Sequence, residues 1–526
     1  AAAIDQSKRP SVQVGDPYEE KRLIEACLEL LDAGLVVGIQ DLGGAGLACA
    51  TSETAARGRV GMEVDLSAVV RRERAMESWE VMTSESQERM LAIVTPEDWP
   101  AVAAVCERWE VRASVVGKVT QPDQVDGAPI GRLRIHEFEG GPLLADVPAS
   151  SLADDGPRYE RPLERPADFD ARQADGTERL DPPEDPNEDL LALLADPSWV
   201  YRQYDHQLFL NTVEGPGGDA ALLRLAGPGL PPSRRGVAIT TDANPRWCAI
   251  DPRAGTSLVV AEATANLACV GARAVAIVNC CNFGNPEHAT VMWQLSEAID
   301  GMSEACLALG LPVIGGNVSL YNESGGEDIL PTPVIGGLGL VDVLEHRPPG
   351  LAWPGDATVL LVGGSSSRST ASLGGSRWAV ERRGHRNGRL PAVDLVAHRN
   401  SIDFVCRLVA DEVALGPGLV LAVHDVSAGG LAVTLAEMAI ASGIGARIDG
   451  LEDHHALFHE GPSRFVVATS RPAEILERAS ATGVPVERLG VAAGDVLVIG
   501  DLVAVGVDRL RATWSGAIPV ALGERR

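Results

Sequence analysis

The chain has 526 residues, of which 45% are hydrophobic and 22% are charged, and its formal net charge is −28 at pH 7. This length predicts about three to four domains, and the acidic surface argues against a nucleic-acid backbone or an anionic membrane as a partner. We find neither a signal peptide nor an apolar run near the roughly 20 residues of a membrane span, so we expect a cytoplasmic protein. The nine cysteines lack metal-binding spacing and are expected to be free thiols.

The first elements in chain order are a helix, a strand and a second helix. Apolar residues at 23, 24, 27, 28 and 31 predict that a helix over Lys21–Leu31 buries this face. The apolar run Leu35–Gln40 predicts a buried strand that ends at Asp41, and small residues predict a helix over Leu47–Arg57. The glycines at 43, 44 and 46 are interpreted either as a ligand-binding turn or as a close-packed connection.

Two polar features of this first region are candidate ligand-binding groups. Asp41 lies where a strand ends and a glycine turn begins, a common position for a carboxylate that binds Mg²⁺, with helix capping as the alternative. Glu85, Ser86 and Gln87 precede the predicted strand Met90–Val94, so several hydrogen-bonding side chains are gathered at the start of one strand.

A linker and a second type of domain follow. Residues 151–187 are rich in proline and charge, which predicts a solvated surface segment. In residues 188–350, the apolar runs Ala274–Val278 and Leu311–Ile314 predict interior strands, each followed by a polar turn, at 279–286 and 315–319. A helix is predicted to begin at Pro286 with Asn285 as its cap. Its predicted buried residues are Met292, Leu295, Ile299, Met302 and Cys306.

The segment Gly315–Glu323 carries the densest set of candidate ligand groups. Its two leading glycines allow backbone N–H groups to approach a phosphate, while Asn317 offers an amide oxygen and Ser319 a hydroxyl. Because no lysine follows, this is not a Walker A loop, and positive charge would have to come from Mg²⁺ or from elsewhere. A tight β-turn with satisfied polar groups is the alternative.

The last region, residues 355–526, repeats the first. Asp41–Asp65 recurs as Asp425–Asp449 with the same internal spacing, 425 − 41 = 384 positions away. Such a long period indicates one domain type that is used twice in a duplicated chain. In the same alignment, Gln13 faces Asp394.

The two copies differ in ways that separate structural residues from candidate ligand residues. Glu85 and Arg89 are retained as Glu460 and Arg464, whereas the residues between them are replaced. We therefore interpret the retained pair as structural and the replaced residues as ligand-binding. For Asp425, helix capping is the preferred interpretation.

The repeat also predicts a missing counterpart. The second copy is preceded by a glycine turn, Leu373–Ser376, and by about 200 further residues. Their first-copy equivalents would lie before residue 1, so we expect a fragment or processed remnant that lacks its leading domain.

Seven motifs along the chain can be compared with known enzymes: Arg9–Pro17, Gly38–Leu47, Ser84–Met90, Arg202–His206, Cys281–Pro286, Pro312–Glu323 and Pro331–Gly336. Together they resemble one enzyme family, the small PurL type of phosphoribosylformylglycinamidine synthase, and they stand in the family's order. The resemblance covers nearly the whole chain apart from the linker.

The resemblance implies an α/β (α+β) fold of duplicated modules of the aminoimidazole-ribonucleotide-synthetase superfamily. It implies the order B1 (1–150), linker (151–187), A2 (188–350) and B2 (355–526), with the leading A1 module missing. The implied reaction is ATP-dependent amidation of formylglycinamide ribonucleotide to formylglycinamidine ribonucleotide in purine biosynthesis. The implied partners are the glutaminase subunit PurQ, which supplies ammonia, and the small subunit PurS.

The resemblance also assigns site residues by position. Many family members carry Asp where this chain has Asn279, which removes one negative charge near the nucleotide. The family's catalytic histidines lie in A1, so we expect this chain alone to be inactive. The implied ligands are Gln13, Glu85, Ser86, Gln87 and Ser319 for the substrate, Asn279 and Gly316 for ATP, and Asp41 and Asn317 for Mg²⁺.

Two other interpretations remain open from the sequence. One is a noncatalytic remnant that still binds nucleotide or partner subunits. The other is a different member of the superfamily, such as a kinase or a selenophosphate synthetase, although the duplicated layout argues against a single-copy enzyme.

Overall fold

A computed structural model of the chain describes residues 15–71, 76–227, 229–364, 372–410 and 419–523. The chain divides into two compact units, residues 1–160 (unit 1) and 161–526 (unit 2). Gln13 lies outside the described residues. Within the described ranges, no helix combines the length and the apolar character needed to cross a membrane, and all nine cysteines are free thiols.

Unit 1 alternates short helices and strands. In chain order the elements are α1 (Pro17–Asp32), β1 (Gly38–Asp41), α2 (Gly46–Gly58), β2 (Gly61–Asp65), α3 (Ser78–Thr83), β3 (Met90–Ile93), α4 (Trp99–Arg108), β4 (Gly117–Thr120), β5 (Asp123–Val125), β6 (Ala128–Ile130), β7 (Arg132–His136) and β8 (Leu143–Pro148). The strands form a four-stranded sheet of order β4–β2–β7–β8, a separate β1–β3 pair and a β5–β6 hairpin.

The first helix of unit 1 differs from its prediction. It begins four residues earlier, because the Asp16 carboxylate accepts hydrogen bonds from the first-turn amides and a proline follows it. It buries Ala26 and Leu30 against α4. The predicted face is therefore wrong at three positions that are about half exposed: Ile24 (44%), Leu28 (51%) and Leu31 (50%).

Unit 2 contains two larger sheets. Its elements are α5 (Phe169–Ala174), α6 (Pro186–Ala192), α7 (Ser198–Tyr201), β9 (Thr212–Glu214), β10 (Ala221–Arg224), β11 (Gly236–Asp242), α8 (Pro245–Ile250), α9 (Pro252–Cys269), β12 (Arg273–Asn282), α10 (Ala289–Leu309), β13 (Val313–Ser319), β14 (Glu323–Ser324), β15 (Glu327–Asp328), β16 (Thr332–Val341), β17 (Thr358–Val362), a π-helical turn (Trp378–Arg382), α11 (Leu395–Ala410), β18 (Ala422–Asp425), α12 (Gly430–Ser442), β19 (Ala446–Ile448), α13 (His454–Phe458), β20 (Phe465–Thr469), α14 (Pro472–Thr482), β21 (Val486–Ala492), β22 (Val496–Ile499), β23 (Val503–Gly506) and α15 (Val507–Ala521).

The two large sheets of unit 2 share a helix between their cores. One sheet has the order β13–β12–β16–β11–β10–β9, and the other has the order β18–β20–β17–β21–β19–β22–β23. Helix α9 is buried along almost its whole length. Its Val259 lies in the core cluster of the first sheet with Ile277, and its Ala265 lies in a cluster with Leu360 of the second sheet.

The charged segment before α6 is attached to unit 2 by polar contacts. Arg172 donates to the carbonyl of Ala249 (3.0 Å), and the buried hydroxyl of Thr177 accepts from the amide of Leu373 (3.3 Å). The segment is exposed over most of its length, as its composition predicts, but its hydrogen bonds fix it to the surface of unit 2.

Two predicted turns in unit 2 are strands. Residues 279–282 belong to β12 and residues 315–319 to β13, so both predictions of a turn at these positions are wrong. Parallel pairing between the two strands continues through these polar residues. The following helix begins at Ala289 rather than Pro286, because Asn285 accepts from the amide of Glu287 in a turn that precedes it. Ile299, expected in the core, is 47% exposed.

Candidate functional site

The candidate corner of unit 1 is built where β1 ends and α2 begins. Asp41 is the last residue of β1, and its carboxylate is exposed. The turn that follows is tight, since Ala45 and Gly46 both have positive φ angles, 57° and 53°. A side chain at Gly46 would collide with the backbone carbonyl of Ser84, so glycine is required there.

The loop that carries Glu85, Ser86 and Gln87 lies beside this turn. Antiparallel pairing of β1 with β3 places Asp41 opposite Met90, and the preceding loop is therefore brought to the same corner. The Glu85 carboxylate accepts a hydrogen bond from the amide of Ala45 (3.1 Å). Thus the structure places the predicted Mg²⁺ ligand Asp41 at the same corner as the loop of the predicted substrate residues Glu85, Ser86 and Gln87.

The side chains of this loop are arranged partly by each other. The hydroxyl of Ser86 lies 3.0 Å from the hydroxyl of Ser84, and the amide of Gln87 donates to the Glu85 carbonyl (3.1 Å). Glu85 and Gln87 are exposed, and Ser86 is half-buried. The corner therefore presents a carboxylate, a hydroxyl and an amide on a short, internally bonded loop.

The equivalent corner of unit 2 repeats two hydrogen bonds of the corner in unit 1. Glu460 accepts from the amide of Gly429 (2.7 Å), as Glu85 does from Ala45, and these turn residues are 429 − 45 = 384 positions apart. Arg464 donates to the carbonyl of Gly461 (3.2 Å), as Arg89 does to that of Ser86 (3.0 Å). The retained Glu and Arg therefore hold the loop against the glycine turn in both copies.

Asp425, the twin of Asp41, does not cap a helix. The N-cap of α12 is Gly429, which offers no side chain, so the capping prediction is wrong. Asp425 is buried, with 4% exposure, and Nδ1 of His424 lies 3.7 Å from it and 2.6 Å from Asp219. Burial and then the charge of Asp219 raise the pKa of Asp425 well above its usual value.

The ring of His424 lies between two carboxylates. Its Nε2 lies 3.1 Å from Glu437, on the other side of the ring from Asp219. Burial opposes ionisation, but the charge of Asp219 and hydrogen bonds to both carboxylates raise the pKa of His424 well above its usual value. In unit 1 the aligned pair is Gln40 and Glu53, which are 3.4 Å apart.

This buried group was not found from the sequence. Asp219, His424 and Asp425 place their ligand-type atoms within 4.8 Å of one another. The alignment held one signal for it, since a neutral Gln40 in the first copy faces an ionisable His424 in the second. Asp219 carried no signal, because it lies 425 − 219 = 206 positions before Asp425.

The second set of predicted ligand residues lies on β12 and β13 of unit 2. Parallel register places Asn279 opposite Gly316, Cys280 opposite Asn317 and Asn282 opposite Ser319. The backbone of Gly316 approaches the Asn279 side chain so closely that a Cβ there would collide with the amide oxygen. The structure therefore brings the two predicted ATP residues into direct contact.

The other two predicted ligand residues on these strands, Asn317 and Ser319, differ in how their side chains are held. Asn317 is exposed, and its amide nitrogen lies 3.7 Å from the sulfur of Cys280. Ser319 is half-buried, and the amide of Asn322 donates to its hydroxyl (3.1 Å) and to its carbonyl (2.9 Å). The exposed Asn317 side chain is therefore open to a ligand, while Ser319 is held in place by Asn322.

Family comparisons match the repeat. Residues 2–127 and 354–500 both match the AIR synthase related protein C-terminal domain, and residues 217–341 match the AIR synthase related protein N-terminal domain. The predicted class, an α/β fold of duplicated modules of this superfamily, is confirmed.

Whole-chain comparisons are more specific. The phosphoribosylformylglycinamidine synthase subunit PurL of Frankia casuarinae is 46% identical over 541 residues, which cover 98% of this chain and 67% of the relative. The structure of Thermotoga maritima PurL complexed with ATP is 27% identical with a TM-score of 0.62, covering 92% of this chain and 68% of that one. Its complex with FGAR is 26% identical with a TM-score of 0.63, covering 93% and 67%. The chain therefore belongs to the family of the phosphoribosylformylglycinamidine synthase subunit PurL.

Proposed function

We propose that this chain takes part in the ATP-dependent amidation of formylglycinamide ribonucleotide to formylglycinamidine ribonucleotide, in purine biosynthesis, with ammonia derived from glutamine. The observation that carries this proposal is the 46% identity to a PurL subunit through 98% of the chain. The T. maritima relatives bound to ATP and to FGAR support the two small-molecule substrates. The alternative of a noncatalytic remnant has no observation in its favour.

Gln13, Glu85, Ser86 and Gln87 of unit 1 are proposed substrate contacts, and Ser319 of unit 2 is also a proposed substrate contact. A hydroxyl and an amide can each donate and accept, which suits the hydroxyl, amide and phosphate groups of such a substrate. Glu85 also has a structural role, because one of its carboxylate oxygens accepts a hydrogen bond from the Ala45 amide.

ATP is proposed to lie along the β12–β13 edge, against Asn279 and the backbone of Gly316. A glycine allows phosphate oxygens to approach main-chain N–H groups. Asp41 and Asn317 are the proposed Mg²⁺ ligands, and both fit, because an exposed carboxylate and an exposed amide oxygen are donors that this hard cation prefers. When bound, Mg²⁺ would neutralise the phosphate charge during transfer to the substrate amide oxygen.

The proposed protein partners are a glutaminase subunit, PurQ, and the small subunit PurS, in the cytoplasm. The support is a T. maritima relative whose structure is described as PurLQS. Ammonia made by such a glutaminase would displace the phosphorylated oxygen of the substrate.

The test is a comparison of Gln87→Leu with the control Gln124→Leu, an exposed glutamine on β5. Loss of the amide should weaken formylglycinamide ribonucleotide binding by about tenfold, which corresponds to about 1.4 kcal/mol. Titration calorimetry on the chain measures this step. Product formation with ammonium is measured after adding the part of the Frankia relative that this chain does not match.

Unchanged binding in Gln87→Leu would contradict the substrate assignment. Absence of product with both folded parts present, despite ATP and substrate binding, would contradict the proposed reaction itself.

A further inference from the structure

The loop after β12 and the loop after β13 are joined by main-chain hydrogen bonds. The amide of Tyr321 donates to the carbonyl of Gly284 (2.8 Å), and the amide of Asn322 donates to the carbonyl of Phe283 (3.2 Å). In the opposite direction, the amide of Phe283 donates to the carbonyl of Ser319 (2.9 Å). The two loops therefore form one hydrogen-bonded body next to Ser319, a proposed substrate contact.

Asp328 on β15 strengthens this connection with its side chain. Its carboxylate accepts from the backbone amide of Asn285 (2.7 Å) and lies 2.7 Å from Nδ1 of His288. A Cβ on Gly284 would collide with this carboxylate, so the close approach depends on glycine. The loop after β13, which carries Asn322, is thus held to the loop after β12 by backbone and side-chain contacts.

Two backbone carbonyls fix the direction of the Asn322 side-chain amide. The carbonyl oxygens of Phe283 and Ser319 lie 3.0 and 2.9 Å from Nδ2 of Asn322. Because a carbonyl oxygen only accepts hydrogen bonds, the group that faces both of them is the amide nitrogen and not the amide oxygen. The hydroxyl oxygen of Ser319 lies 3.1 Å from the same nitrogen.

This geometry determines which way the hydroxyl proton of Ser319 can point. An amide nitrogen donates hydrogen bonds and does not accept them, so the Ser319 oxygen is the acceptor in this contact. The other polar atom of the amide, Oδ1 of Asn322, is 3.4 Å from the hydroxyl, longer than the usual distance of about 2.7–2.8 Å. A ligand oxygen at the usual distance is therefore the better partner for this proton.

We propose that Asn322 is a positioning residue that makes Ser319 a hydrogen-bond donor to an acceptor oxygen of the substrate. This inference rests on the proposed function, in which Ser319 contacts formylglycinamide ribonucleotide. Phosphate oxygens and amide carbonyl oxygens both have the required chemistry, because both accept hydrogen bonds. A donor that is fixed in this way selects an acceptor oxygen over a group that itself donates.

The experiment is a double-mutant cycle in the full chain. Binding of formylglycinamide ribonucleotide is measured by titration calorimetry for Ser319→Ala, Asn322→Ala and the double variant. If Asn322 acts through the Ser319 hydroxyl, each single change weakens binding by about tenfold, and the double variant loses about the same factor. Two residues that act independently would together lose about a hundredfold.

The control for loss of a hydroxyl is Ser324→Ala, at an exposed position on β14 in the same loop. It should bind the substrate as the parent chain does. Should Asn322→Ala fail to fold, the milder Asn322→Ser, which keeps one donor, replaces it in the same cycle with the same expectation. The ribonucleoside without phosphate identifies the acceptor: the effect of Ser319→Ala persists for a carbonyl oxygen and disappears for a phosphate oxygen.

The outcomes separate the role of Asn322 from the proposed function. Additive losses in the double variant, or unchanged binding in Asn322→Ala, would overturn the positioning role while substrate binding by the parent chain still supports the function. Absence of substrate binding by the parent chain would contradict the proposed function and, with it, the donor role of Ser319.

Discussion

Two hydroxyl groups hold the ring of His398 inside unit 2. Thr264 on α9 and Ser463 before β20 each lie 2.8 Å from a ring nitrogen, and the imidazole is fully buried. A neutral ring satisfies both contacts by donating at one nitrogen and accepting at the other. Burial lowers the pKa of His398 from 6.5 to about 4.

This histidine makes the stability of unit 2 depend on pH. The unfolded chain binds a proton at His398 below about pH 6.5 and the folded chain only below about pH 4, so folding stability falls as pH drops through this window. The resulting loss in the free energy of unfolding is about 3 kcal/mol. Urea titrations at pH 7 and pH 4.5 measure the free energy of unfolding. Between these two pH values, it should change less in His398→Gln than in the parent chain.

The control for this prediction is His346→Gln, at an exposed position. It should leave the pH dependence as in the parent chain. An equal pH dependence in parent and His398→Gln would show that other groups cause the acid sensitivity.

Residue roles were predictable where the two copies could be compared. Retention of Glu85 and Arg89 as Glu460 and Arg464 indicated a structural role, and both pairs make the same contacts. The partner of Asp425 was not predictable, because Asp219 comes from the distant connection between β9 and β10 and no local pattern joins them.

Two glycines set how closely neighbouring strands approach. Gly117 on β4 lies against the carbonyl of Glu63, and Gly490 on β21 lies against that of Arg447, the aligned residue. A Cβ at either position would collide with this backbone oxygen. The close approach of the neighbouring strand therefore explains why both positions carry glycine.

Gly490→Ala should destabilise unit 2 by about 2 to 3 kcal/mol, because a backbone atom on a paired strand cannot move aside as a side chain can. Thermal unfolding followed by circular dichroism measures the change. The control is Gly506→Ala, where a Cβ meets no atom within 4 Å. Equal shifts in the two variants would mean that the effect is one of backbone flexibility.

Helices and strands were predictable where the hydrophobic pattern within one short segment is enough to define them. Helix α2 spans Gly46–Gly58, close to the predicted 47–57. The ends of β12 and β13 were not predictable, because asparagine and glycine interrupt the apolar pattern while the parallel ladder continues. Likewise, α1 carries two overlapping apolar stripes, and only packing against α4 decides between them.

At the scale of the molecule, each unit has its own cores. We expect two transitions in calorimetry, with unit 1 melting first because its strands are divided among smaller sheets. Gly117→Ala should shift only the lower transition, and Gly490→Ala only the upper one. A single transition that moves with both variants would contradict independent unfolding.

The placement of His424 has a consequence for how a duplicated domain diverges. The buried carboxylate of Asp219 lies 2.6 Å from Nδ1 of His424, and the first copy has a neutral glutamine, Gln40, at the position that aligns with this histidine. The second copy thus supplies a partner for a buried carboxylate from its own chain, at a corner where the first copy leaves the Asp41 carboxylate open to solvent.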